Sequence, residues 1–274
     1  MFMLASGLIC QLAFSADAAP KPGSSPSPTT APSVDALRKA AEQGDPIAQF
    51  DLAQCYRQGT GVKKDPVEAF KWYRKAAGKG DAIAQYSVGD CYRNGAGVEK
   101  DQVEAGKWFR KSAEQGFSMA QYNLGIYCLF GTGMEKSEVE AMKWFRKAAE
   151  QGDPDAQYNL AIGYGTGVGV DHNPVEATKW LRKSAEQGYI AAEVNLGVCY
   201  ATGAGVDKDP IEAVKWYRKA AEQGDASAQY NLAICYADGV GVEKDRVEAI
   251  KWYRKSAEQG NTDAKAALNK IAPP

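Results

Sequence analysis

Six glutamates recur at one place in this 274-residue chain: Glu68, Glu104, Glu140, Glu176, Glu212 and Glu248. Carboxylates arrayed in this way could serve as paired general acids and bases. Each one, however, stands three residues after a helix-capping side chain: Asp65, Asp101, Ser137, Asn173, Asp209 or Asp245. That spacing is the capping box, in which the cap side chain takes the amide of the third residue and the glutamate reaches back to the cap amide. Capping accounts for all six, so no acid–base pair is assigned to them. The basic triplet Lys71, Arg74 and Lys75 also recurs, with Glu68 three residues before Lys71. Its positions lie largely off the apolar stripe of the same helix, so a solvated outer face is expected rather than a basic binding stripe.

Cysteine and histidine chemistry has little to work with. Cys55, Cys91, Cys199 and Cys235 share one repeat position, and Cys128 lies one residue beyond it. Stacked helices stand roughly 8–10 Å apart, whereas a disulfide needs Cα atoms within about 7 Å. Adjacent cysteines such as Cys55 and Cys91 are therefore expected to stay unpaired, as small buried apolar residues. No Cys-x-x-Cys is present to suggest a zinc knuckle, and His172, the one histidine, falls in a loop. A histidine-dependent triad or multi-histidine metal site lacks the residues to build it. The run Gly165-Thr166-Gly167-Val168-Gly169 follows a helical pattern rather than a strand, which argues against a nucleotide cradle. Neither Ser-x-x-Lys nor a Walker A motif occurs. The residues point to no enzyme, no cofactor and no metal.

What positions these side chains is a repeat. Trp72, Trp108, Trp144, Trp180, Trp216 and Trp252 follow one another at intervals of 36 residues, and a fixed period of this length means stacked supersecondary units. Six full repeats run 45–80, 81–116, 117–152, 153–188, 189–224 and 225–260. Each reads as helix, glycine loop, helix. Ala48, Leu52, Ala53 and Tyr56 share one face of the first helix; Ala69, Trp72, Tyr73, Ala76 and Ala77 share one face of the second. Neither helix could hide its stripe alone, so the two stripes must face each other.

Punctuation sets the boundaries. Asp45-Pro46 supplies a cap and an N1 proline. Gly44, Gly80 and Gly116 suit the left-handed residue that ends a helix, and paired glycines such as Gly59 and Gly61 suit a tight connection. The valine after each pair (62, 98, 170, 206 and 242), or Met134, is expected to plug the loop onto the core. Residues 33–44 repeat a second helix with Ala36 in place of Trp, and residues 261–274 repeat a first helix with Ala266 in place of Tyr. Both read as caps closing the stack. The fold class is all-α, a solenoid of helix–loop–helix units.

Residues 1–18 read as a secretory signal: 1–16 are uncharged and mostly apolar, and Ala16-Asp17-Ala18 offers a small-x-small cleavage site, although no Lys or Arg precedes the run. The run is short for a membrane span, so none is expected after signal removal. Residues 19–32, rich in Pro, Ser and Thr, read as a disordered linker. The expected location is exported, periplasmic or secreted; the alternative is cytoplasmic, which unpaired cysteines favour. With 33 Lys and Arg against 34 Asp and Glu, the net charge is -1, so counterion release offers nothing toward nucleic acid.

The run Asp-x-x-Ala-Gln-Tyr-Asn-Leu-Ala/Gly-x-x-Tyr, then Gly-x-Gly-Val, then Glu-Ala-x-Lys-Trp-Tyr-Arg-Lys-Ala-Ala-Glu-Gln-Gly resembles the Sel-1-like repeat, a relative of the tetratricopeptide repeat with a longer inter-helix loop. The resemblance covers residues 33–274. It implies a right-handed α-superhelix acting as scaffold or adaptor for another protein or peptide, and several bacterial members are exported. The chain departs from the family's cysteine-rich branch, which pairs two cysteines within each repeat. Lacking Ser-x-x-Lys, it gives no support to the β-lactamase activity associated with that branch. In the tetratricopeptide superhelix the first helices line the concave surface. On that face, after Asp51 and Ser87, one position reads Asn123, Asn159, Asn195 and Asn231. The likeness suggests a ladder gripping a peptide backbone; bonds to the neighbouring repeat are the alternative. Another position runs Gln54, Asp90, then Ile126, Ile162, Val198 and Ile234, and the third repeat adds Phe117, Met119, Leu129, Phe130 and Met134. Apolar residues off the core stripe can mark a binding patch, or fill a tighter superhelical turn. The expected site is a groove centred on repeats three to five, polar at its N-terminal end and apolar beyond. Its expected occupant is a protein or peptide, with glycan or peptidoglycan as the alternative.

Overall fold

The computed structural model describes residues 33–271. The signal and linker readings for 1–18 and 19–32 lie outside the described residues, as do Cys10 and the last three residues of the 261–274 cap. The described residues form fourteen α-helices and no strand. After α1 (Val34–Glu42) come α2 (Pro46–Gln58) and α3 (Pro66–Gly78), α4 (Ala82–Asn94) and α5 (Gln102–Glu114), and α6 (Ser118–Phe130) and α7 (Glu138–Glu150). The series continues with α8 (Pro154–Thr166) and α9 (Pro174–Glu186), α10 (Ile190–Thr202) and α11 (Pro210–Glu222), α12 (Ala226–Asp238) and α13 (Arg246–Glu258), and ends at α14 (Thr262–Ile271). Each first helix packs most extensively on the second helix of its own pair, and next on the second helix before it. This is an all-α solenoid with the 36-residue period read from the tryptophans. None of these helices is long and apolar enough to cross a membrane.

The seam between the layers is the expected pair of stripes. Leu52, Leu124, Leu160, Leu196 and Leu232 are fully buried, with Val88 in the one repeat that lacks the leucine. Each such burial is worth roughly 1.5–3 kcal/mol. Against them stand Tyr73, Phe109, Phe145, Leu181, Tyr217 and Tyr253, all buried. First-helix aromatics complete the layer, with Phe50–Tyr73 and Tyr86–Phe109 ring centroids 5.5 Å apart. The core divides into two clusters, one spanning Ala41 to Cys91 and the other Tyr86 to Ala264, and Tyr92 packs against both.

The caps form, but half of the capping box does not. Asp65 accepts from the amides of Val67 and Glu68, Asp101, Asp209 and Asp245 each accept from two amides in the same manner, and Ser137 and Asn173 each accept from one, that of Glu140 or Glu176. The glutamates do not reach back. The cap amide is taken by the last turn of the preceding helix: Asp65 donates to the Tyr56 carbonyl and Asp101 to that of Tyr92, both at 2.9 Å. The loop folds the cap onto an orphan helix-end carbonyl, leaving the glutamate to pair with the lysine three residues on. Glu68–Lys71, Glu104–Lys107, Glu140–Lys143 and Glu176–Lys179 meet at 2.6 Å, Glu248–Lys251 at 2.9 Å, and Glu212–Lys215 pair likewise.

The loops stack as the helices do. Gly97 has φ +75°, and a β-carbon there would lie 2.0 Å from the Pro66 carbonyl oxygen of the preceding repeat. The second glycine of each pair is thus a close-approach point as well as a turn residue. Val98, Met134, Val170, Val206 and Val242 lie half-buried on the core, as plugs of the loops they follow.

Candidate protein-binding face

The basic triplet is used three ways. The Lys71-type residue pairs with glutamate as above. The Lys75-type residue lies over its tryptophan ring: Lys75 on Trp72 at 3.6 Å, Lys111 on Trp108 at 4.2 Å, Lys183 on Trp180 at 4.0 Å, each worth about 0.5–1 kcal/mol at an exposed site. At the Arg74 position four arginines reach forward: Arg38 donates to the Tyr56 hydroxyl at 3.2 Å and Arg218 to Tyr236 at 2.9 Å, while Arg146–Tyr164 and Arg182–Tyr200 make the same bond; Arg74 itself lies over the Phe70 ring at 5.9 Å.

A glutamine ladder crosses the interior. Gln115 donates to Gln85 at 2.7 Å, Gln151 to Gln121 at 2.7 Å and Gln187 to Gln157 at 2.8 Å. The inner member then donates to a carbonyl of the preceding repeat, as Gln121 does to Ala113 and Gln157 to Ala149, both at 3.1 Å. These buried amides are satisfied inside the stack and join one repeat to the next.

On the first helices, the four asparagines share a register but not an environment. Asn123 and Asn159 are buried, Asn195 and Asn231 half-buried. Asn123 donates to the Met119 carbonyl at 2.8 Å and accepts from Arg93 of the preceding repeat at 2.6 Å. Asn159 donates to the Asp155 carbonyl at 2.8 Å, and Asn195 to the Tyr158 hydroxyl of the repeat before it at 3.3 Å. Asn123 and Asn195 therefore make bonds between repeats. Ile126, Ile162, Val198 and Ile234 stand half-buried at one position of successive helices. Phe130, at the end of α6, is 44% exposed. Phe117 and Met119 are half-buried, and Phe117 packs edge-on against Tyr86 at 5.3 Å.

Two features of this face escaped the sequence reading. Arg93 pairs with Asp90 and links it to Asn123; the i, i+3 spacing of Asp90 and Arg93 was the available signal. The second is a polar cluster at repeats four and five. Tyr189 takes the cap position that Asp holds in most repeats, makes no cap bond, and packs tilted against Tyr158 with ring centroids 5.1 Å apart. Its hydroxyl neighbours the Asp155 carboxylate. Burial pushes the Asp153 carboxyl up to about 6 and raises that of Asp155, opposed by the neighbouring Tyr189 hydroxyl. The break in the aspartate series at Phe117 and Tyr189 could have flagged it.

The five described cysteines are unpaired. Burial raises all their thiols, to about 12 at Cys91 and about 11 at Cys235. Among the described residues no group of three His, Cys, Asp or Glu side chains is placed to hold a metal ion.

The chain is similar to known structures across most of its length. A crystal structure of a protective antigen present in uropathogenic Escherichia coli strains, described as displaying an SLR fold, matches with TM-score 0.84 and 38% identity over 88% of this chain. This chain spans 52% of that one, about half its length. A Sel1 repeat protein from Oxalobacter formigenes matches with TM-score 0.69 and 35% identity, over 82% of this chain and 91% of that one. No curated protein matches the chain. The Sel1 repeat model matches residues 37–45, 46–81, 82–117, 118–153, 154–189, 190–225 and 226–261, one residue out of step with the boundaries drawn from the tryptophans. With seven consecutive matches from 37 to 261, the chain belongs to the Sel1 repeat family.

Proposed function

We propose that this chain is a non-catalytic scaffold that holds a protein or peptide on its first-helix face. Sel1 repeat proteins are typically scaffolds for protein interaction. The observation that carries the reading is the row Ile126, Ile162, Val198 and Ile234, half-buried at one position of four successive helices, with the exposed Phe130 at its start. An apolar row of this kind, edged by Asp155, Tyr158, Tyr189 and the asparagines, suits an extended segment that buries side chains and bonds through its backbone. Export remains part of the proposal, resting on residues 1–18 alone.

The test is cross-linking of the tagged protein in its own host, followed by fractionation and identification of what co-purifies. A stoichiometric partner that is lost on Phe130→Asp with Ile162→Asp, while the helical circular dichroism persists, supports the groove. Capture that survives both substitutions rejects it. Recovery in the cytoplasm with residues 1–18 intact rejects export.

A further inference from the structure

The third repeat and the second helix beneath it depart from the pattern at three linked positions. Where first helices end in Cys91-Tyr92, Cys199-Tyr200 and Cys235-Tyr236, this one has Tyr127-Cys128. Tyr127 turns its hydroxyl to Gln102. Arg110 therefore lacks the phenol that Arg146, Arg182 and Arg218 hold 18 residues ahead. Its guanidinium is exposed, and no hydrogen bond or ion pair to it occurs among the described residues. The second departure is Gly106, at the position where Phe70, Met142, Thr178 and Val214 are buried. The third is Met134 in place of the loop valine. Its methyl lies over the glycine, and a β-carbon at Gly106 would sit 2.7 Å from Met134 Cε.

Beside this contact an open cleft of about 410 Å³ lies between α5 and the loop after α6, within the range of roughly 300–1,000 Å³ typical of ligand pockets. Val103, Gly106, Trp108 and Met134 give it an apolar lining. Trp108 is half-buried, whereas Trp72 and Trp144 on either side are 8% and 6% exposed. Of the cations at the cleft, Lys107 is held by Glu104 at 2.6 Å and Lys111 lies over Trp108 at 4.2 Å. Arg110 makes no hydrogen bond or close ion pair, although its charge acts on Cys128 and on the Glu140 carboxylate that Lys143 already holds, and Glu114 is the other carboxylate of the lining.

We propose that this cleft binds an acidic peptide segment, with one bulky apolar side chain against Trp108 and Met134 and a neighbouring carboxylate on Arg110. A thioether adapts its shape to an apolar guest and favours aromatic contact. The guanidinium fork matches a carboxylate through two parallel bonds. The cleft is built from second-helix and loop residues, so it does not depend on the first-helix groove.

Methyl-labelled methionine spectra of the full chain report the site directly, with Met134 assigned through Met134→Val. Titration with an acetylated, amidated peptide carrying one phenylalanine between two aspartates should shift the Met134 methyl signal saturably. Exchanging both aspartates for asparagines, or making Arg110→Gln, should weaken binding at least about ten-fold, the scale of one charge-assisted bond. The Gly106→Val, Met134→Val double variant restores the packing of the other repeats and should abolish binding, read through the Trp108 indole N–H, with the circular dichroism unchanged. Ile162→Asp should leave the Met134 response intact. An unmoved Met134 signal, or a shift indifferent to both Arg110→Gln and the aspartate exchange, overturns the proposal. So does binding that requires a free C-terminal carboxylate instead of aspartate side chains.

Discussion

At Glu193 the glutamine ladder changes chemistry. Its counterparts at 49, 85, 121, 157 and 229 donate an amide to the carbonyl eight residues earlier, which an ionised carboxylate cannot do. Glu193 is 3% exposed and accepts from Gln223 at 2.7 Å. Burial raises its carboxyl above the ordinary 4.5, opposed by Lys219. The folded chain therefore keeps this proton to higher pH than the unfolded chain does. Stability from this position is complete below the unfolded value and is lost as pH rises through the raised one. Glu193→Gln should gain about 1 kcal/mol at pH 8 and nearly nothing at pH 4; urea unfolding that shows equal gains at both would refute this account. The cysteines give a second residue-scale expectation. With Cys91 pushed to about 12 and Cys235 to about 11, almost no thiolate exists at neutral pH. Both should resist Ellman's reagent in the folded chain and react on denaturation, as mass mapping of the labelled peptides would show.

Elements are joined by loops whose glycines do different jobs. Gly205 and Gly224 both have positive φ, +70° and +98°. A β-carbon at Gly224 meets nothing within 4 Å, but at Gly205 it would lie 2.0 Å from the Pro174 carbonyl oxygen. Gly224→Ala should cost only the left-handed conformation, about 1–2 kcal/mol. Gly205→Ala should cost roughly twice that or more, because a carbonyl in the neighbouring repeat must also move. Equal losses in thermal unfolding would mean that the loops do not bear on one another. Helix bounds, cap residues and the Gly-x-Gly turns were legible in the sequence, since each rests on neighbours a few residues apart. The capping box was half misread for the same reason. Asp65 and Glu68 have the right spacing, but the Tyr56 carbonyl that takes the cap amide arrives only when the loop closes.

At the scale of the whole molecule, stability should vary along the solenoid. The extensive helix contacts all run between consecutive helices, so each region stands on its own packing and its interfaces. The smaller core cluster ends at Cys91, near the place where Gly106 contributes no side chain. Hydrogen exchange should therefore open α1 to α3 at lower free energy than α7 to α12; the reverse order would contradict a seam at the second repeat. The candidate face was legible in part. The register of Ile126, Ile162, Val198 and Ile234 followed from the period, whereas Arg93 and Asn123 had no visible link at a separation of 30 residues. The sequence by itself determined the period, the helices, the buried stripes and the family, because these depend on spacing within about one turn or one repeat. Only the tertiary structure decided which polar groups are consumed between repeats and which face outward. Asn123 takes Arg93 of the preceding repeat, and Arg110 has no phenol to hold because the transposed Tyr127-Cys128 pair sends that hydroxyl to Gln102; in both cases the deciding partner comes from another helix.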